Sequence, residues 1–172
     1  MDIVEKAKEF ALRFHGDQNH GSLKIADHLA AVTEKLKLTL NQIGEDKFAD
    51  AIVAAGWLHD TVEDTSVDFD QLQEVFGPFI ANIVRAVTDS DGKNRLERHI
   101  KTYWRTRENG HAIIVKMCDR WHNHKRSIER NERFVKMYSD EYLYFKFALY
   151  RPGVADALWN ELDEQYEKMK RM

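Results

Sequence analysis

The sequence predicts an all-α fold in one domain over residues 1–172, and three observations carry that prediction. Only two prolines and eight glycines punctuate the 172 residues. Ala, Leu, Glu, Lys and Arg, which lose little on entering a helix, are plentiful. Apolar residues recur at three- and four-residue spacing, and few β-branched runs alternate with period two. At this length one sizeable core can form, and an apolar share of 43% is ordinary for a globular chain.

A first helix is expected from about Asp2 to His15, where Val4, Ala7, Phe10, Ala11 and Phe14 form one stripe and Asp2 suits the N-cap. Gly16 to Ser22 reads as loop by composition. A second helix starts near Asp27 and carries His28, Ala31, Val32 and Leu36. Asn41 to Asp46 is a break, and a third helix from about Lys47 to Leu58 leads into His59 and Asp60. Asp68 to Phe76 reads as a short helix stopped by Gly77-Pro78, and Phe79 to Val87 as another. Asp89-Ser-Asp-Gly92 is a turn signal. A polar helix from Asn94 to Asn109 ends at Gly110. The apolar run Ala112 to Cys118 then delivers Asp119. Ser127 to Arg133 is highly charged. Phe134 to Tyr150 is an aromatic-rich helix broken at Pro152-Gly153, and Ala155 to Met172 is the last, with Leu158, Leu162 and Tyr166 on one face. No internal repeat, low-complexity segment or interdomain linker is evident.

The net charge of −3, with both signs interspersed, argues against a general nucleic-acid or membrane binder, and no nucleic-acid or membrane partner is expected. No apolar run approaches the ~20 residues that cross a bilayer. The N-terminus lacks a signal-peptide pattern, and one cysteine, Cys118, rules out an internal disulfide framework. A cytoplasmic location is the default expectation. The oligomeric state is not readable.

Chemistry concentrates in Trp57-Leu-His-Asp-Thr-Val-Glu-Asp-Thr65. The run Ala51 to Leu58 leads into it, and four ionisable groups follow: His59, Asp60, Glu63 and Asp64. Adjacent His and Asp at the end of a buried run cost desolvation energy unless they are paired or bind a metal. On a helix His59 and Glu63 share a face, as do Asp60 and Asp64. His59 and Asp60 lie about 100° apart, so both reach one ion only near a helix end or beside a second helix. Further ligands must come from elsewhere, and His28 and Asp119 are the candidates. Two His and two Asp suit Mn²⁺, Fe²⁺, Co²⁺ or Zn²⁺, with Mg²⁺ less favoured by imidazole. The bland alternatives are a surface histidine at His28 and a capping or ion-pairing carboxylate at Asp119.

From about Ala7 to Ile128 the chain resembles the HD-domain phosphohydrolases, specifically the hydrolase domain of RelA/SpoT-type enzymes and their small stand-alone relatives. Leu58 to Thr65, "LHDTVEDT", is similar to that group's HD motif with its Glu-Asp pair. Val115 to Asn123, "VKMCDRWHN", is similar to its "KLADRLHN" segment, and Arg95 to Arg98, "RLER", to a basic segment between them. The helical segment from about Phe134 to Met172 is a C-terminal extension that carries little of the likeness. The resemblance implies an all-α fold with Mn²⁺ held by His28, His59, Asp60 and Asp119. It implies that Glu63 and Asp64 orient or deprotonate the attacking water. It implies a small-molecule nucleotide substrate, the 3′-pyrophosphate of guanosine tetra- or pentaphosphate being cleaved to leave GDP or GTP. The length is expected to leave no room for a synthetase domain.

Arg13, Lys24, Lys93, Arg95, Arg98 and Arg120 are candidates for the phosphates, since guanidinium forks match phosphate oxygens; each also reads singly as solvated surface. Arg13 sits where the family places a basic nucleotide contact, and Asn123 where it uses an Asn near the ribose. His122 reads as a group behind the ligands or a plain helix-face histidine. Trp57, Trp104, Trp121 and Trp159 read as core, and Tyr142, Tyr144, Phe145 and Phe147 as packing. The family's Tyr-Ile-x-His-Pro is Ile25-Ala-Asp-His-Leu29 here, an insertion is indicated around Asn41 to Lys47, and Trp121 and His124 replace smaller residues near the base pocket. Two other readings stand beside the first: a nucleotide phosphomonoesterase of 5′-nucleotidase or NADPH 2′-phosphatase type, and a non-catalytic nucleotide-binding regulatory module.

Overall fold

A helix that is apolar all round must sit in the middle of a fold, and the run ending at Leu58 does so. The computed structural model describes residues 2–21, 23–130 and 133–172. In chain order they form α1 (Ile3–His15), β1 (Asn19–His20), β2 (Leu23–Lys24), α2 (Ile25–Ile43), α3 (Ala49–Leu58), the single turn α4 (Thr61–Asp64), α5 (Phe69–Val87), α6 (Arg95–Arg107), α7 (Gly110–Arg130), α8 (Phe134–Leu149) and α9 (Asp156–Met169). The all-α expectation holds. Met1, Ser22 of the expected loop, and positions 131–132 of the charged stretch lie outside the described residues.

Helix α3 buries every residue from Ile52 to Leu58, between α1, α2, α5 and α7. Its Ile, Val and Leu side chains contribute about 1.5–3 kcal/mol each by leaving water. Helix α7 is the second axis of the molecule and contacts α2, α3, α5, α6, α8 and α9. Two of the three helices that deliver the expected ligands, α3 and α7, are therefore enclosed on several sides. Among the described residues no helix is long and apolar enough to cross a membrane.

Helix ends follow local chemistry. Asp2 caps α1, its carboxylate accepting from the Val4 N–H. Asp68 and Gln71 form a reciprocal capping box on α5. Gly77 breaks that helix with φ 78° and ψ 166°, just ahead of Pro78, so α5 is two short helices meeting at a kink, as expected.

Three expectations are corrected. Gly110 does not end α6. It begins α7, because the Asn109 carboxamide oxygen accepts from the His111 and Ala112 N–H groups. The segment after Gly16 is not all loop: Asn19–His20 pairs antiparallel with Leu23–Lys24, strands too short to show a period-two signal. Helix α2 starts at Ile25, two residues before the position read from the sequence.

Helices α8 and α9 pack on α6 and α7. Tyr142 Oη donates to Asp163 at 2.8 Å, Lys146 pairs with the same carboxylate, and Lys35 of α2 pairs with Glu161 at 2.6 Å. Trp57, Trp159, Tyr142 and Phe145 are core as expected, but Trp104 and Phe147 are solvent-exposed.

Candidate metal centre

Helix α3 stops at Leu58, and the backbone leaves regular helix at Asp60 (φ −95°, ψ −4°) before α4 begins. That break lets two adjacent side chains point at one place: His59 Nε2 lies 3.2 Å from Asp60 Oδ1. His59 Nδ1–H donates to the Gly56 carbonyl at 2.7 Å. This bond fixes the tautomer and leaves the Nε2 lone pair free to ligate.

Helix α2 brings His28, fully buried, to the same point. Its Nε2 is 3.3 Å from His59 Nε2, 3.5 Å from Asp60 Oδ2 and 3.4 Å from Asp119 Oδ1. Helix α7 brings Asp119, whose Oδ1 is 3.9 Å from His59 Nε2. The four side chains come from three directions, as the helix geometry of the sequence required. Separations near 3–4 Å match the ~3 Å expected between neighbouring ligands that each lie ~2.0–2.2 Å from one ion.

The donor set fits a divalent cation. Two imidazole nitrogens and two carboxylates converge with no lysine or arginine among them, and buried Asp60 Oδ2 has no hydrogen-bond donor among the described residues. Burial opposes a charge on His59, yet the Asp60 carboxylate beside it outweighs burial and lifts its pKa to about 9. Burial alone would raise Asp119, but its hydrogen bond with His28 holds it well below the ordinary carboxylate range. These groups demand positive charge, and a metal of the borderline N/O class supplies it.

Side chains behind the ligands hold them in place. His122 Nδ1 is 2.8 Å from His28 Nδ1. Asn123 Nδ2 donates to Asp119 Oδ1 at 2.6 Å, and its carboxamide oxygen lies 3.2 Å from His20 Nε2. His20 stacks on His28 with ring centres 4.1 Å apart. The hairpin carrying His20 is tied to α7 by Arg126, which donates to the His20 carbonyl at 2.8 Å. His20 and Arg126 were not singled out from sequence, since a histidine in a polar loop and an arginine in a basic run carry no signal of their own.

Glu63 and Asp64 occupy the turn after the ligands. Glu63 accepts from the Asp89 N–H. Burial pushes its pKa up to about 7, with Lys116 opposing and the Asp60 and Asp89 charges adding. Asp64 is raised too, by burial and then by Asp60. Glu63 opens onto a cleft of about 520 Å³ that Asp89, Ser90, Arg98 and Arg105 also line. Arg105, unremarked in the sequence, lies seven residues after Arg98 on α6 and donates to the Thr88 carbonyl.

A second cleft, of about 240 Å³, lies beside His20 and Asn123 and is lined by Arg95, Arg126 and Tyr138. Arg95 there holds Glu141 through two nitrogens. The other cations sit elsewhere. Arg13 is exposed on α1 with its guanidinium over Phe14, Lys24 reaches the Asp17 carbonyl, and Lys93 is exposed before α6. The phosphate reading of Arg120 is corrected: it is buried, bonded to Glu141 at 3.1 Å and to Tyr103 Oη at 2.7 Å. An arginine so enclosed is structural.

A helical fold in which an imidazole pair and a carboxylate pair meet at one point defines a metal-binding domain of the His-Asp type. A family model described as "HD domain" matches residues 5–133, and the chain belongs to the HD-domain family, which implies a divalent metal at this point. The chain is 38% identical over 123 residues to the Danio rerio protein named Guanosine-3′,5′-bis(diphosphate) 3′-pyrophosphohydrolase MESH1, covering 70% of this chain and 67% of the relative. It is 30% identical over 182 residues to an Aquifex aeolicus protein named Guanosine-3′,5′-bis(diphosphate) 3′-pyrophosphohydrolase, covering 97% of this chain and 25% of that one. A similar 30% identity links it to a probable GTP diphosphokinase of Oryza sativa, of which it spans 20%. The chain thus spans a fifth to a quarter of these two longer relatives. A solved structure described as a metazoan ortholog of SpoT that hydrolyzes ppGpp superposes with a TM-score of 0.74 at 21% identity, over 98% of this chain and 96% of that one. Similarity of fold therefore extends through α8 and α9.

Proposed function

We propose that the protein is a cytoplasmic, Mn²⁺-dependent phosphohydrolase that removes the 3′-pyrophosphate of guanosine tetra- or pentaphosphate, giving GDP or GTP and pyrophosphate. The observation that carries this reading is the convergence of His28, His59, Asp60 and Asp119 beside a carboxylate pair. The names of the relatives point the same way.

His28, His59, Asp60 and Asp119 would hold the ion, which when bound supplies Lewis acidity toward a phosphoryl oxygen and the attacking water. The remaining work falls to the chain itself. Glu63 takes the proton of the attacking water, since a base whose pKa lies near neutrality is both ionised and strong enough at working pH. Asp64 orients the water. Asn123 fixes Asp119 and faces the ribose. Arg95 and Arg98 flank the donor set on its two clefts and would meet phosphate oxygens, as would Arg13 and Lys24 after side-chain movement.

The test is metal-depleted protein assayed on guanosine tetraphosphate with and without added Mn²⁺, beside Asp60→Ala and Glu63→Ala. Turnover that needs Mn²⁺ and is lost in both variants supports the reading. Orthophosphate as the product would make the protein a phosphomonoesterase. An empty site and no turnover would leave a nucleotide-binding module.

A further inference from the structure

Two helices far from the metal donors in sequence share an apolar face. Arg95 and His99 reach Glu141, Tyr103 lies against Tyr144 and Phe145, and Arg107 donates to the Ala148 carbonyl. Helices α6 and α8 therefore run side by side in the same direction. Leu96, Ile100 and Trp104 each follow by one position the α6 residues that face α8. Leu143 and Phe147 each precede by one position α8 residues that face α6. For parallel right-handed helices, a step of about 100° forward on one and back on the other turns both rows to the same side. The opposite side is the core, where Thr102, Thr106, Tyr142 and Leu149 are buried.

The five side chains are each between 37% and 75% exposed. At ~150–250 Å² for an aromatic side chain and somewhat less for Leu or Ile, they present on the order of 500 Å² of apolar surface. That is near the top of the range for the largest patch on an ordinary monomer. Arg107 seals the seam between the helices, its guanidinium lying over Trp104. The charges at the edges are neutralised in place, Glu97 by Lys101 and Asp140 by Lys136. Apart from Arg107, which is held on the Ala148 carbonyl and the Trp104 ring, such a face carries little charge to select an acidic or basic partner or to repel its own copy.

We propose that this α6/α8 face is the contact through which two copies of the chain pair about a twofold axis. Two such faces bury roughly 1,000 Å², the size at which a specific interface begins, and an isologous contact of this kind closes without leaving the patch open to further copies. None of the five side chains lines either cleft beside the donor set.

Sedimentation equilibrium of the full chain over a concentration series tests it, with Trp104→Asp, Phe147→Asp and, as an off-face control, Leu38→Asp. Wild type and Leu38→Asp are expected to approach twice 20.2 kDa, and the two on-face variants to dimerise at least 100-fold more weakly while keeping their helical circular dichroism. Hydrogen exchange of wild type at the two ends of the series is expected to slow in α6 and α8 on dimerisation. The proposal is overturned if wild type stays at 20.2 kDa throughout, if the on-face variants dimerise as well as wild type, or if exchange slows elsewhere instead.

Discussion

Replacing Gly56 by alanine probes how the helices hold the donor set. In an isolated helix the change gains about 0.8–1.0 kcal/mol. In the fold, a Cβ at position 56 stands 2.8 Å from Leu36 Cδ2 and 3.2 Å from Thr33 Cγ2. Both neighbours are fully buried, and the Thr33 hydroxyl is bonded to the Leu29 and Ala30 carbonyls. Neither can swing into solvent, so α2 must yield by a few tenths of an ångström. Such overpacking costs about 1–3 kcal/mol, and the net is a loss of about 1 kcal/mol, a fall in Tm of ~2–4 °C for a chain of this size. Helix α2 carries His28, and the Gly56 carbonyl holds His59 Nδ1, so both imidazoles shift. Mn²⁺ affinity, read by calorimetric titration, is expected to drop about tenfold, as it does when the groups that orient ligands are disturbed. A variant with a higher Tm and unchanged affinity would refute the reasoning, since the close approach of α2 and α3 would then be unimportant to the site.

Three further outcomes are expected. Glu63 has a folded pKa of about 7 against an ordinary 4.5, so the folded protein binds the proton more tightly and loses stability as pH rises between those values. Glu63→Gln should therefore be more stable than wild type at alkaline pH, by ~1–2 kcal/mol once solvent contact is allowed for. That advantage should vanish in acid, while turnover falls at least ~100-fold; pH-dependent melts and rates check both. His122→Phe removes the partner of His28 Nδ1 and should weaken Mn²⁺ binding ~10–100-fold with little change in Tm, measured by the same titration. Arg120→Ala breaks a buried pair and should cost about 3 kcal/mol, the low end of the range because Arg95 still holds Glu141; denaturant unfolding reads it directly.

Helices were legible because most carry an apolar stripe, and α1, α5 and α6 also start at capping residues that report on themselves. The kink at Gly77-Pro78 and the long apolar run before His59 are local facts. The β1–β2 hairpin was not legible, because two-residue strands have no period, and its placement depends on Arg126 from α7. In the candidate site, the break at Asp60 could be inferred because adjacent His and Asp cannot otherwise share an ion. The positions of His20, Arg105 and Tyr138 are tertiary and leave no mark on spacing. Arg120 shows the converse: arginine suggests solvent, yet Glu141 and Tyr103 meet it inside. Trp104 and Phe147 were misplaced for the same reason, since apolar character does not say which side of a helix another element will cover.

The most direct test of the proposed chemistry is hydrolysis of guanosine tetraphosphate in ¹⁸O-labelled water with Mn²⁺, followed by phosphorus NMR and mass analysis. Attack of water on the ribose-linked phosphorus of the 3′ group breaks that P–O bond, so the pyrophosphate should carry one ¹⁸O and the GDP none. Label in GDP, release of orthophosphate, or no turnover by metal-loaded protein would contradict it.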